Sequence, residues 1–176
     1  DVDDAMDWLE TTFYYVRAQR SGKYVDGKTL RSRVSETLEW LIERDFVERD
    51  GLAVEPTPLG RLTSKFYLDL STASRFATLS EADELTEFDV LTVVASAAEF
   101  DSVSARADEE DAIEAVIGER ATDLEPGTRK VLAILRAGMS NTTPAALRSD
   151  AWVIRQNALR LLAALRALTD RFGTAT

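Results

Sequence analysis

The sequence contains no cysteine and no histidine. Disulfides, thiolate or imidazole metal sites, Cys or His nucleophiles and Ser-His-Asp triads are therefore excluded. It also lacks any apolar run of the roughly eighteen residues that a membrane helix needs. Its first residues, DVDDAMDWLE, are acidic where a signal peptide is basic and then apolar. A cytoplasmic location with no membrane partner is expected. The first residue is Asp1 rather than Met, so a fragment of a longer protein is expected. Lysine is scarce as well, 4 against 17 arginines and 31 acidic residues.

The 176 residues, 45% of them apolar, suffice for one sizeable core or two small ones. An acidic, lysine-poor surface suits a salt-adapted cytoplasm, and a halophilic source is expected. Net charge is −10 but unevenly spread. Residues 1–69 carry 10 basic and 14 acidic groups, residues 70–125 carry 3 and 15, and residues 126–176 carry 8 and 2. The last third is thus net +6 within an acidic chain. Either it docks on the acidic middle segment, or it keeps acids away from a surface that meets an anion such as nucleic acid.

Apolar spacing predicts an amphipathic helix over 4–20, with Trp8 in the core, and a second over "KTLRSRVSETLEWLIERDF". "FVERDGLAVEPT" reads as two short strands around Asp50-Gly51, a pair suited to a type I′ turn. Pro58 then opens a helix through "PLGRLTSKFYLDL". This order is that of a winged helix over residues 1–69. Residues 70–176 read as an all-α bundle: the fold class is mainly α with one short β-hairpin. "TEFDVLTVVASAAEF" is apolar on most sides and expected to be central; Pro126 opens a helix that Gly138 ends. Ser149 is expected to cap the longest helix, whose core stripe is Ile154, Ala158, Leu161, Leu165, Leu168 and Phe172.

One motif misleads. Gly22 and Gly27-Lys28-Thr29 match the spacing of a phosphate-binding loop, but such a loop follows a buried strand, and the preceding segment reads as helix. Gly22 and Gly27 are better read as helix C-cap and turn residues. No catalytic residue is assigned.

Two clusters are candidates for binding. On the longest helix Arg148, Trp152, Arg155, Leu159 and Arg166 share one face away from the core stripe. Arg155 and Arg166 lie roughly 16 Å apart along the axis, a reach of about two or three nucleotides. Arginine binds phosphate and indole stacks on any base; the plain alternative is a solvated face with Trp152 packed on a neighbour. The second cluster, Lys28, Arg31 and Arg33 with Lys23, begins the second helix where a recognition helix would enter a groove, but Glu36, Glu39 and Glu43 follow. Docking to protein is favoured there over duplex reading, and Tyr14 or Trp40 are candidates to meet a missing domain.

The run Leu52–Phe76, "LAVEPTPLGRLTSKFYLDLSTASRF", resembles the junction between winged-helix and ratchet domains in superkiller-like superfamily II DExH-box helicases, particularly the archaeal DNA helicases. Pro56 to Arg61, Ser64 and Tyr67-Leu68-Asp69 carry the likeness. The resemblance implies an accessory region whose RecA-like motor domains, with their ATP and Mg, lie upstream, so no cofactor is expected in this chain. It implies a haloarchaeal source and a monomer whose long helix, residues 149–172, grips single-stranded nucleic acid, DNA being expected. Where archaeal relatives often place a stacking tryptophan this chain has Arg160, so the stacking role falls to Arg160 or to Trp152. A stand-alone winged-helix transcription regulator and a protein-docking module remain the alternatives.

Overall fold

The computed structural model describes residues 2–21, 27–51, 53–80 and 85–172, and the backbone alone at residues 18, 19, 27–29, 80, 119, 120, 171 and 172. The chain divides into two compact units, Asp1–Arg61 and Leu62–Thr176.

The first unit holds α1 (Val2–Glu10), α2 (Phe13–Arg20), α3 (Gly27–Glu43) and an antiparallel hairpin of β1 (Val47–Asp50) and β2 (Ala53–Pro56). The single helix expected over 4–20 is broken at two successive threonines. Thr11 and Thr12 turn their hydroxyls onto the carbonyls of Trp8 and Leu9, at 2.7 and 2.6 Å, and Thr12 Oγ1 accepts the Tyr15 amide as the cap of α2. Their side chains compete with the helical ladder and end it. The break leaves Trp8 and Phe13 exposed, so Trp8 is not a core residue.

In the hairpin Asp50 pairs with Ala53. Gly51 is therefore the first turn residue rather than the second, in left-handed conformation at φ 61. Gly22 lies outside the described residues, but the segment leading to it is α2, a helix. The strand that a phosphate-binding loop requires does not precede it. Trp40 is half-buried, stacked on Phe46 at 6.1 Å and covered by the Arg44 guanidinium at 4.3 Å, so its faces are engaged within its own unit.

The segment Thr57-Pro58-Leu59-Gly60 opens α4 (Pro58–Phe66), and each residue has a task. Buried Thr57 caps the helix by accepting the Gly60 amide at 3.0 Å, while its own hydroxyl donates back to the 45–46 carbonyls. Pro58 takes the first helical position, where its missing N–H costs nothing. Leu59 is buried. Gly60 lies so close to the Phe46 carbonyl that a Cβ there would sit 2.0 Å from its oxygen.

The helix ends earlier than the sequence suggests. Tyr67 turns to φ 52, Leu68 N–H returns to the Thr63 carbonyl at 3.0 Å, and Asp69 starts α5 (Leu70–Ser80) by accepting from Ser71 N–H and Oγ–H at 2.8 and 2.6 Å. The second unit continues with α6 (Glu87–Ala95), α7 (Glu110–Ile117), α8 (Pro126–Met139) and α9 (Arg148–Phe172). Thr86 and Asp89 form a reciprocal capping box on α6. The centre is α8 rather than α6: α6, α7 and α9 all pack on it, and residues 130–135 form an unbroken buried run. Gly138 does not end α8, which continues to Met139, and the turn comes at Asn141 with φ 52.

The described fold is mainly α with one two-stranded sheet, a winged-helix arrangement followed by a helical bundle.

Candidate nucleic-acid interface

Helix α9 runs 25 residues because nothing in it breaks the 3-4 spacing of its apolar positions. Ala151, Ile154, Ala158, Leu161, Ala164, Leu165 and Leu168 are buried against the bundle. The expected stripe is therefore core wherever it is described; the Phe172 side chain is outside the described set. Ser149 sits inside the first turn and is not the cap, because a 3₁₀ turn at Ala145–Leu147 leads straight into Arg148.

At about 100° per residue the outward arc of α9 has two flanks. Arg148, Leu159 and Arg166 occupy one, Val153 and Arg160 the other, with Trp152 and Gln156 near the crest. Trp152 is 71% exposed and Leu159 60%. Arg148 is exposed, its Nε reaching the Thr143 carbonyl only at 3.4 Å, and Arg166 is loosely paired with Asp170 at 3.7 Å. These four side chains stand in solvent together.

Arg155 and Arg160 are placed differently. Arg155 is half-buried, donates through Nη2 to Thr143 Oγ1, and lies over Gly138, where a Cβ would come within 2.7 Å of its Nε. Its buried Nε has no acceptor among the described residues. It forms one wall of an apolar groove of about 500 Å³ with Leu91, Leu135, Met139, Leu159 and Leu162. The Arg160 guanidinium spans the carbonyls of Phe66 and Tyr67 and is braced by Asn157 Oδ1, which accepts from Nε at 3.2 Å and Nη2 at 2.7 Å.

The other cluster is not brought together as a free basic surface among the described residues. Arg31 pairs with Asp3, Arg33 is exposed but engaged, and the side chains of Lys23 and Lys28 are outside the described set. Exposed Glu36, Glu39 and Glu43 follow on the same helix.

The start of α9 is fixed by a polar cluster that sequence reasoning missed. Lys130, 2% exposed, donates to the Ser104 carbonyl at 3.2 Å, the Glu109 carboxylate at 2.9 Å and Asp150 Oδ2 at 2.5 Å. Arg106 closes the cluster, bonding Glu109 through its backbone amide and Nε at 2.8 and 3.0 Å and Asp150 through Nη2 at 2.8 Å. Burial pushes the Glu109 carboxyl up, but hydrogen bonds from Lys130 and the Arg106 amide, with both positive charges, outweigh it and hold it below its ordinary value. Hydrogen bonding from Lys130 above all holds Asp150 down as well.

Both carboxylates have folded pKa values below their unfolded ones. Their contribution is present above the unfolded values of about 4 and is lost as pH falls through the lowered folded values. Thermal melts are expected to weaken progressively below pH ~5. A Glu109→Gln variant, already destabilised at neutral pH, is expected to show a shallower decline.

The sequence places this winged-helix and helical-bundle arrangement in a known class: the chain belongs to the Sec63 Brl domain family, whose model matches residues 56–175. Among individual relatives, activating signal cointegrator 1 complex subunit 3 from Mus musculus is 29% identical over the whole chain, and the same-named Danio rerio protein 31% over 64% of it. The probable ATP-dependent DNA helicase HFM1 from Homo sapiens is 30% identical over 62% of the chain. These matches span only 9%, 8% and 8% of the respective relatives, so the chain corresponds to a small region of much longer proteins. No helix among the described residues is long and apolar enough to cross a membrane.

Proposed function

We propose that the chain is the non-motor accessory region of an ATP-dependent DNA helicase and that α9 grips the translocating single strand through its outward arc. The observation that carries this reading is the exposure of Trp152 and Leu159 between Arg148 and Arg166. An indole held in water beside guanidinium groups offers a stacking surface with phosphate neutralisation on either side. Of the basic groups in residues 126–176, Arg129 and Lys130 pair with Glu110 and Glu109 of the middle segment, while Arg148 and Arg166 stand exposed on α9 and support the same placement. Arg155 adds charge from the groove wall.

In this reading RecA-like domains elsewhere in the full protein bind ATP and Mg, this region needs no cofactor of its own, and the chain works as a cytoplasmic monomer. As the motor opens and closes, the helix holds the strand between steps. A haloarchaeal source fits the acidic, lysine-poor composition. High salt weakens phosphate attraction, so stacking and hydrogen bonds carry more of the grip. Protein docking is the second reading for the first unit, favoured by the exposed Trp8 and Phe13.

Fluorescence anisotropy with labelled single-stranded and duplex DNA at low and high salt tests the proposal. The wild-type chain is expected to prefer the single strand. Trp152→Ala is expected to cost about 1–3 kcal/mol of that binding, and Arg148→Glu/Arg166→Glu to weaken it and flatten its salt dependence. Duplex preference, or binding indifferent to all three substitutions, would move the function to the first unit.

A further inference from the structure

Tyr67 is the least expected side chain in the second unit. It has φ 52, a conformation that costs an ordinary L-residue roughly 1–2 kcal/mol, yet its side chain is not buried in exchange. The residue is 84% exposed, the highest exposure among the large apolar and aromatic residues described.

The backbone beneath the ring is held from several directions. The Arg160 guanidinium takes the carbonyls of both Phe66 and Tyr67, the latter at 2.7 Å, and is fixed by Asn157. Leu68 is buried, and the Asp69 amide donates to Glu99 Oε1 at 2.9 Å. Glu99 is itself bonded to buried Thr72 at 2.6 Å. A strained residue persists where its surroundings over-determine it, and such positions concentrate at binding and switch sites. The acids nearby are committed within the corner: Asp69 caps α5 through Ser71, and Glu99 bonds Asp69 and Thr72. Lys65 lies two residues before Tyr67 and is exposed.

We propose that Tyr67 is a second stacking post for a nucleobase of the single strand, and that Arg160 is its positioning residue. This rests on the reading of α9 as a single-strand grip. It places a further contact on the flank of α9 that carries Arg160 and Val153, across the crest from Arg148 and Arg166. Arg160 couples the two elements directly, since one guanidinium belongs to α9 and holds the corner that presents the ring.

The test separates stacking from folding because the two effects have opposite signs. Tyr67→Asn suits the left-handed backbone and removes the ring. It is expected to melt no lower than wild type while binding a labelled oligo(dT) about 5- to 150-fold more weakly. Tyr67→Phe is expected to bind within about two-fold of wild type, since the π-face is kept. Arg160→Ala is expected to weaken binding alone but to add little to Tyr67→Asn, the non-additivity of residues that act as a unit. If wild type and Trp152→Ala behave as proposed for α9 while Tyr67→Asn binds as wild type, the Tyr67 assignment is overturned and the α9 reading stands. If the wild-type chain prefers no single strand, both fall.

Discussion

Lys130→Met is expected to lower stability by about 3–5 kcal/mol, the usual cost of removing one partner from a buried ion pair. For a chain of this size that is a fall in melting temperature on the order of 10 °C. Lys130 and Glu109 are 2% and 1% exposed, and the ammonium meets oxygen acceptors of Ser104, Glu109 and Asp150. With the cation gone, Glu109 keeps only Arg106, whose side chain is half in solvent, and Asp150 loses its shortest hydrogen bond. The damage is mainly an uncompensated buried carboxylate, not lost attraction. Lys130→Met/Glu109→Met is accordingly expected to cost clearly less than the sum of the single changes. Additive losses in thermal melts would show that the pair is not coupled.

The second large effect is expected in the other unit. Gly60→Ala would place a Cβ 2.0 Å from the Phe46 carbonyl oxygen, a backbone atom that cannot rotate away. Either α4 or the segment after α3 must move, which disturbs the Thr57 cap and the burial of Phe46 at 2% exposure. A loss of about 3 kcal/mol or more is expected, the upper range for overpacking. Two other glycines serve as contrasts. Gly51→Ala meets no atom of the described residues within 4 Å and carries its positive-φ strain, about 1 kcal/mol. Gly138→Ala meets the Arg155 side chain, which can shift. Denaturation midpoints that ranked Gly60→Ala with these two would refute the close-approach account.

Much of this was legible because it follows from local pattern. The apolar spacing of α9, the hairpin, the helix opened by Pro58 and the basic last third all come from neighbours in sequence. The Thr-Pro-Leu-Gly junction was recognisable as a resemblance, although its physical reason, a glycine pressed on a carbonyl, appears only in three dimensions. What escaped was contact at a distance. In the sequence Arg160 stands as a candidate to stack on a base, while the acceptors its guanidinium takes lie 94 and 93 positions away. Nothing in the spacing around Lys130 marks it as buried, because its partners come from the 104–109 segment and from Asp150. The break at Thr11-Thr12 was hidden differently: the apolar period continues across it, and hydroxyl competition leaves no trace in hydrophobicity.

The resulting picture of α9 is asymmetric. One side is core and its start is clamped by the Lys130 cluster. The outward arc carries Arg148, Leu159 and Arg166 on one flank and Trp152 near the crest, and reaches Tyr67 through Arg160 on the other. Rigid elements hold binding groups more accurately than loops do, which suits the strand-gripping role proposed for this helix.

Photo-crosslinking of a 5-iododeoxyuridine single strand to the 176-residue chain, followed by peptide mapping, tests the central claim most directly. The account predicts crosslinks in residues 148–166, with Trp152 foremost, suppressed by unlabelled single strand and much less by duplex. Crosslinks confined to residues 27–43, or displaced equally by duplex, would contradict it.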